Sequence, residues 1–158
     1  MRFLQSQPHW LEVAYEATHR MLQPFRRWLK PGGWAEKFFI RAEKMSKGAI
    51  FDCRMCGQCV LHSTGMTCPM TCPKNLRNCP CGCVRANGHC EVIPEMRCVW
   101  VEAYERSLQM PVYGKDMHHI VPPLNRRLEG TSAWINDFTG VAQRPPAGWN
   151  AWLEVKQP

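Results

Sequence analysis

Cys53-Arg54-Met55-Cys56-Gly57-Gln58-Cys59-Val60-Leu61-His62-Ser63-Thr64-Gly65-Met66-Thr67-Cys68-Pro69-Met70-Thr71-Cys72-Pro73 is the stretch that decides how this chain folds. Nine of the ten cysteines lie in the 38 residues from Cys53 to Cys90. From Cys53 to Cys98 neither the helical nor the strand period persists, and Gly57, Gly65, Pro69, Pro73, Pro80, Gly82, Gly88 and Pro94 interrupt the chain. Such a segment cannot build an ordinary packed core. Metal–sulfur bonds take the place of apolar burial in small loop-rich units of this kind. The two x2 spacings of Cys53, Cys56 and Cys59 let a short turning backbone aim three thiolates at one cubic cluster while backbone N–H groups face its sulfides. Zinc sites commonly use two close pairs, separated by about 12–20 residues, so the third close thiol favours iron–sulfur without settling the metal.

Outward from this block come Cys79-Pro80-Cys81-Gly82-Cys83, then Cys90 and Cys98. Ten thiols suffice for two four-ligand sites with two left over, and one cluster plus one zinc site fits equally. A spare thiol is by default a packing residue. The N-terminal residues contain no uninterrupted apolar run with a small-residue cleavage site, and no stretch approaches the ~20 apolar residues of a membrane span. A cytoplasmic location is therefore the expectation, and there clustered thiols serve as metal ligands more often than as disulfides. No single thiol stands out beside a base, so a thiol enzyme is disfavoured.

The chain has 158 residues, enough for one domain with an added arm and too few for a TIM barrel of about 250 residues. Its formal charge of +7 divides as 9 − 5 = +4 over residues 1–52, 5 − 2 = +3 over 53–98 and 6 − 6 = 0 over 99–158. A four-thiolate zinc site or a cysteine-bound [4Fe-4S]2+ centre brings about −2, so two such sites would leave about +3. That excess is spread out, which removes most of the support for a nucleic-acid partner.

Helical spacing of apolar residues appears over about 9–29, with Pro24 as a break, and over about 34–47. Residues 97–109 read as a helix ended by Pro111, and a short helix near 131–138 is capped by Thr131 or Ser132. The first helix, rich in Trp and Arg, packs on its own domain or docks on a partner. These readings describe a small α-rich, irregular, metal-stapled domain with a few short helices around a loop-rich cysteine region. They divide it into an N-terminal helical arm (1–50), a cysteine-rich metal-binding domain (51–141) and an extended C-terminal tail (142–158).

The run Cys53–Asn78, with Gly88-His89-Cys90-Glu91-Val92, Cys98-Val99-Trp100 and the later Pro122-Pro123-Leu124-Asn125-Arg126-Arg127-Leu128-Glu129-Gly130-Thr131-Ser132-Ala133-Trp134-Ile135-Asn136, resembles the cysteine-rich methylenetetrahydrofolate reductase C-terminal domain family. The resemblance covers roughly residues 38–141. It implies as metal ligands Cys53, Cys56, Cys59, Cys68, Cys72, Cys81, Cys90 and Cys98, which suit two cubane clusters. Cys79 and Cys83 depart from the family pattern, which has glycines there. An added thiol could replace a usual ligand, and a mixed iron–zinc arrangement is possible.

In that family the domain is fused to, or encoded beside, a flavin-bearing TIM-barrel reductase. The resemblance therefore implies a small iron–sulfur subunit, itself non-catalytic, that binds the flavin-containing catalytic subunit and serves as cluster scaffold and potential electron relay. The expected cofactors are one or two iron–sulfur clusters of the [4Fe-4S] type, with zinc as an option at one site and flavin on the partner. A zinc-stapled interaction or nucleic-acid-binding module is the alternative. His62 and His89, inside the block, are candidate imidazole ligands, and His118-His119 are read as solvent-facing. Lys74 and Arg77 are candidates for hydrogen bonds toward cluster sulfur, and Met45, Met55, Met66, Met70 and Met96 for apolar shielding.

Overall fold

The structure is a computed structural model that describes residues 5–146. The part of the expected C-terminal tail from residue 147 onward lies outside the described residues. The architecture is the α-rich, irregular one expected: among the described residues there are four helices, α1 (Pro8–Leu22), α2 (Trp34–Phe51), α3 (Val99–Ser107) and α4 (Ala133–Phe138), joined by loops and single 3-10 turns. Among the described residues there is no strand, only an isolated antiparallel bridge between His89 and Arg97. No described helix is long and apolar enough to cross a membrane.

Local chemistry sets the helix ends. Pro8 stands in the first turn of α1, where its missing N–H costs nothing, and α1 gives way to a 3-10 turn at Gln23–Phe25 that contains Pro24. The first helix is thus shorter than its apolar spacing suggests. By contrast α2 continues through Gly48, because one glycine lowers helix propensity by only about 1 kcal/mol; it stops where Asp52 turns left-handed at φ 51°. Ser132 is the cap of α4, its side chain accepting from the Ile135 N–H.

Two apolar stripes compete along α1. The buried one is short: Pro8 and Glu12 are buried and Leu11, Tyr15 and His19 half-buried, while Trp10, Val13 and Met21 face solvent. Tyr15 stacks on Trp134 at 5.2 Å and on His62 at 5.4 Å, with Tyr113 edge-on at 5.8 Å. Below this stack Leu61, Met66 and Met110 form one small core, and Cys98, Trp100 and Ala103 form another. Trp34, Phe38 and Met45 of α2 are also exposed, so shielding by Met45 does not occur within the chain.

With so little oil, buried polar side chains tie the elements together. The Glu12 carboxylate accepts from the Val112 N–H at 3.0 Å and from the Tyr113 N–H at 2.6 Å. Glu43, on α2, accepts from Lys47 Nζ at 2.7 Å, from the Ser132 hydroxyl and from the Ala133 and Trp134 N–H groups at the start of α4. Gln58 is fully buried: its Nε2 donates to the Ala142 carbonyl at 2.9 Å and its Oε1 accepts from the Asn125 N–H at 2.6 Å. Asn136 Nδ2 donates to the Gly57 carbonyl at 2.8 Å, and the Gly130 N–H to the Met55 carbonyl, also at 2.8 Å. The segment Asn125–Ala142 is thereby strapped over the Cys53–Cys59 loop.

At Gly57 the strap and the loop come closest. Its φ is 72°, and a Cβ there would stand 2.1 Å from the Leu128 carbonyl oxygen. Left-handed strain alone costs a larger residue about 1–2 kcal/mol, before any displacement of the strap. Gly57→Ala should therefore lower the melting temperature by at least ~2 °C, taking ~2–4 °C per kcal/mol for a chain of this size. Gly48→Ala meets nothing within 4 Å in a helix interior. It should raise the melting temperature by ~1–4 °C, from about 0.5–1 kcal/mol of helix propensity. Calorimetry on both variants checks the pair; equal behaviour would contradict the strap.

Candidate metal centre

The ten cysteines are all free thiols, and the fold divides nine of them between two cavities. Cys53, Cys56, Cys59 and Cys68 line the first, beneath Met55, Met70 and Leu61. Cys72, Cys81, Cys83, Cys90 and Cys98 line the second, with Met96 and Trp100. Cys79 is exposed and lines neither. The eight cysteines carried over from the resemblance thus fall four and four, with Cys83 added to the second set.

Backbone conformation explains the first group. Within six residues Asp52, Met55 and Gly57 all adopt positive φ, at 51°, 50° and 72°, so the chain coils tightly enough to turn three side chains to one side. The Met55 N–H donates to Cys53 Sγ at 3.4 Å, the kind of N–H···S contact that stabilises a thiolate. Cys68 comes from the other wall, at the head of the 3-10 turn Pro69–Thr71, and Cys72 follows at its end. One turn therefore feeds both cavities. Four residues of chain span at most ~14 Å, so the two sites are close neighbours.

The electrostatics of the first cavity are incomplete as thiols. Burial pushes the Cys68 thiol from its ordinary value of 9.0 up to about 12, with further rises from Cys59, Cys53 and Cys56. Burial likewise raises Cys53, partly offset by the Met55 N–H and by Lys47. Arg77, only 8% exposed, lines the same cavity, and its Nε and Nη1 have no hydrogen-bond partner. Burial pulls its guanidinium down, and the Cys56, Cys59 and Cys68 sulfurs facing it act in the opposite direction. Lys47 is the second cation in the wall; burial lowers it, but Cys59 and Glu43 together hold it above its ordinary value. Two cations, only one of them matched by a carboxylate, face four sulfurs. That donor set fits a metal bound as thiolates with a net charge of about −2, whether a [4Fe-4S] cluster or a tetrahedral zinc.

The second group is looser. Cys90 is positioned by its N–H on the Met96 carbonyl at 2.9 Å, Cys98 by its N–H on the Gly88 carbonyl at 2.9 Å and by capping α3. Trp100 Nε1 donates to the Leu76 carbonyl at 3.2 Å, fixing the floor. Cys81, Cys83 and Glu91 offer donor atoms that all lie within 4.8 Å of one another, a group able to hold a metal ion. The Cys83 N–H, with Lys74 nearby, holds Cys81 below the usual thiol range, and Lys74 pairs with Glu91.

The two candidate histidines line neither cavity. His62 belongs to the aromatic stack with Tyr15, where burial lowers its pKa. His89 spends Nδ1 on the Pro94 carbonyl at 2.7 Å. Of the candidate donors, Arg77 stands at the first cavity and Lys74 at the second. Sequence reading missed Lys47 and Glu43, although their i, i+4 spacing marks an ion pair. It also missed the clamp at Gln58, for which no one-dimensional signal exists. Between the cavities an open cleft of about 420 Å³ carries Cys56 and Cys72 in its wall, with Arg54 and Arg126 at its edges.

A family model described as methylene-tetrahydrofolate reductase C terminal matches residues 34–127, more than half of the chain and a span that holds all ten cysteines. Comparison with curated proteins and with solved structures found no match.

Because Cys53 and Cys68 are held above the ordinary thiol value, both are protonated at neutral pH and must release their protons to bind metal. Linkage then makes affinity rise with pH by a factor of ten per proton released, so at least ~100-fold per pH unit. Competition titration of the metal-free chain with zinc at pH 6.5 and 7.5 checks this. A slope below tenfold per unit would show that these thiols are already ionised.

Proposed function

This chain belongs to the methylene-tetrahydrofolate reductase C-terminal family, and from that premise we propose that it is the small iron–sulfur subunit of a methylenetetrahydrofolate reductase complex. It binds the flavin-containing catalytic subunit in folate one-carbon metabolism, in the cytoplasm, and is not itself catalytic. The observation that carries this reading is the four-and-four division of Cys53, Cys56, Cys59 and Cys68 from Cys72, Cys81, Cys90 and Cys98 across two adjoining cavities.

In this reading those eight sulfurs are the ligands, and residues 51–141 form the metal-binding domain. When bound, the clusters supply one-electron redox capacity and covalent staples for a loop-rich chain. Arg77 and Lys47 offset thiolate charge that burial would otherwise make costly. Met55, Met70 and Leu61 supply the apolar part of the first wall, and Met96 and Trp100 that of the second. The cleft that exposes both Cys56 and Cys72 is the place where a partner's flavin approaches both sites. The arm of residues 1–50 docks on the catalytic subunit: Trp28, Trp34 and Phe38 are 80%, 90% and 69% exposed, a display that single chains rarely leave bare.

Zinc in the second site is a second reading, favoured by Glu91, whose oxygen beside two thiols is a ligand type that zinc accepts.

Chain isolated without oxygen should be brown, with broad absorption near ~400 nm and about eight iron atoms per chain for two four-iron clusters. Cys56→Ser and Cys72→Ser should each remove about half of that metal and lower the melting temperature. Co-expression with a flavin-bearing barrel subunit should give one peak on a sizing column, dispersed by replacing Trp28, Trp34 and Phe38 with Ser. A colourless preparation with zinc alone would overturn the iron–sulfur reading, and separate elution at every concentration would overturn the subunit reading.

A further inference from the structure

The second cavity holds five thiols, one more than a four-ligand site uses. Two of them, Cys81 and Cys83, are separated only by Gly82, whose φ of 78° turns the chain back on itself. Their sulfurs and a Glu91 oxygen lie within 4.8 Å of one another. Twice a metal–sulfur bond of ~2.3 Å is ~4.6 Å, so two sulfurs no more than 4.8 Å apart can each reach one metal position with little or no shift. Thiolates on different corners of a cluster point outward along diverging bonds and stand farther apart. The spacing therefore directs Cys81 and Cys83 at one metal position.

The remaining three thiols come from separately anchored backbone: Cys72 at the end of its 3-10 turn, Cys90 and Cys98 through their own N–H bonds. Three fixed thiols and a pair sharing one position make a four-cornered site. Resting on the metal-site reading of this cavity, the geometry points to Cys81 and Cys83 as alternative ligands of a single corner of the second metal site, one bound while the other waits beside it. In the exchange the metal–sulfur bond to one breaks as the bond to the other forms. The incoming thiol gives up its proton and the departing thiolate takes one, so charge and electrons are unchanged. Glu91 Oε1 lies 3.9 Å from Cys81 Sγ, and Lys74 pairs with that carboxylate, so the pair of thiols faces a fixed charged wall.

Metal content per chain tests this, with Cys72→Ala giving the amount that the second site holds. Cys81→Ala and Cys83→Ala should each keep the wild-type content, and the double variant should lose what Cys72→Ala loses. Loss in either single variant would overturn the alternation while leaving the metal site standing; no loss in the double variant would exclude both thiols from the site. If Cys72→Ala removes nothing, the metal-site reading itself fails.

Anaerobic alkylation gives a second readout on the intact chain. The tryptic peptide of residues 78–85 contains the exposed Cys79 with Cys81 and Cys83. It should carry two labels in the metal-loaded chain and three after chelation. One label would mean that both thiols are bound together, and three without chelation that neither is.

Discussion

Gln58 sits inside the cysteine loop with no exposed surface, one end of its amide on the Ala142 carbonyl and the other on the Asn125 N–H. Each such bond adds only about 1 kcal/mol net, but opening it strands buried polar atoms at about 1–3 kcal/mol apiece. Asn136 and Gly130 repeat the arrangement on either side, on the Gly57 and Met55 carbonyls. The C-terminal segment cannot lift without stranding several groups at once. The Cys53–Cys59 loop therefore stays covered on that side, and the partial burial of its sulfurs depends on this lock.

Charge follows from that burial. A buried thiol resists ionisation, and burial is the largest cause that raises Cys68 and Cys53 above the ordinary thiol value. Arg77 and Lys47 stand in the wall beside these sulfurs, and Arg77 Nε and Nη1 have no hydrogen-bond partner, so the cavity carries cationic groups suited to offset thiolate charge. Lys47 is held by Glu43, and Glu43 also bonds the first N–H groups of α4, so the charge balance of the cavity and the docking of two helices share one carboxylate. Perturbing any of the three should be felt by the other two.

The outer face tells a different story from the inner one. The first two helices bury a narrow stripe, chiefly Leu11, Glu12, Tyr15 and Glu43, and leave large apolar side chains in water. A domain this poor in oil gains little by turning Trp28 or Trp34 outward, and exposed apolar side chains of this size are the kind of surface on which the proposed docking rests. The polar interior holds the chain together, while much of the apolar surface of these helices faces outward.

The sequence by itself determined the α-rich, loop-broken architecture, the approximate helices, the Pro24 break and the membership of Cys53, Cys56 and Cys59 in one group, because period, punctuation and x2 spacing are local and act within one or two turns. It did not determine which apolar stripe of α1 would be buried, since two stripes of similar hydrophobicity share that helix and only the position of Trp134 and Tyr113 selects between them. Nor could it pair Cys68 with the first cavity and Cys72 with the second, place Arg77 against sulfur, take His62 into the aromatic stack or set Cys83 beside Cys81 and Glu91. Those relations join residues far apart along the chain or on opposite walls of a turn. Only the tertiary structure brings them together, because each depends on how separate segments pack rather than on local period or spacing.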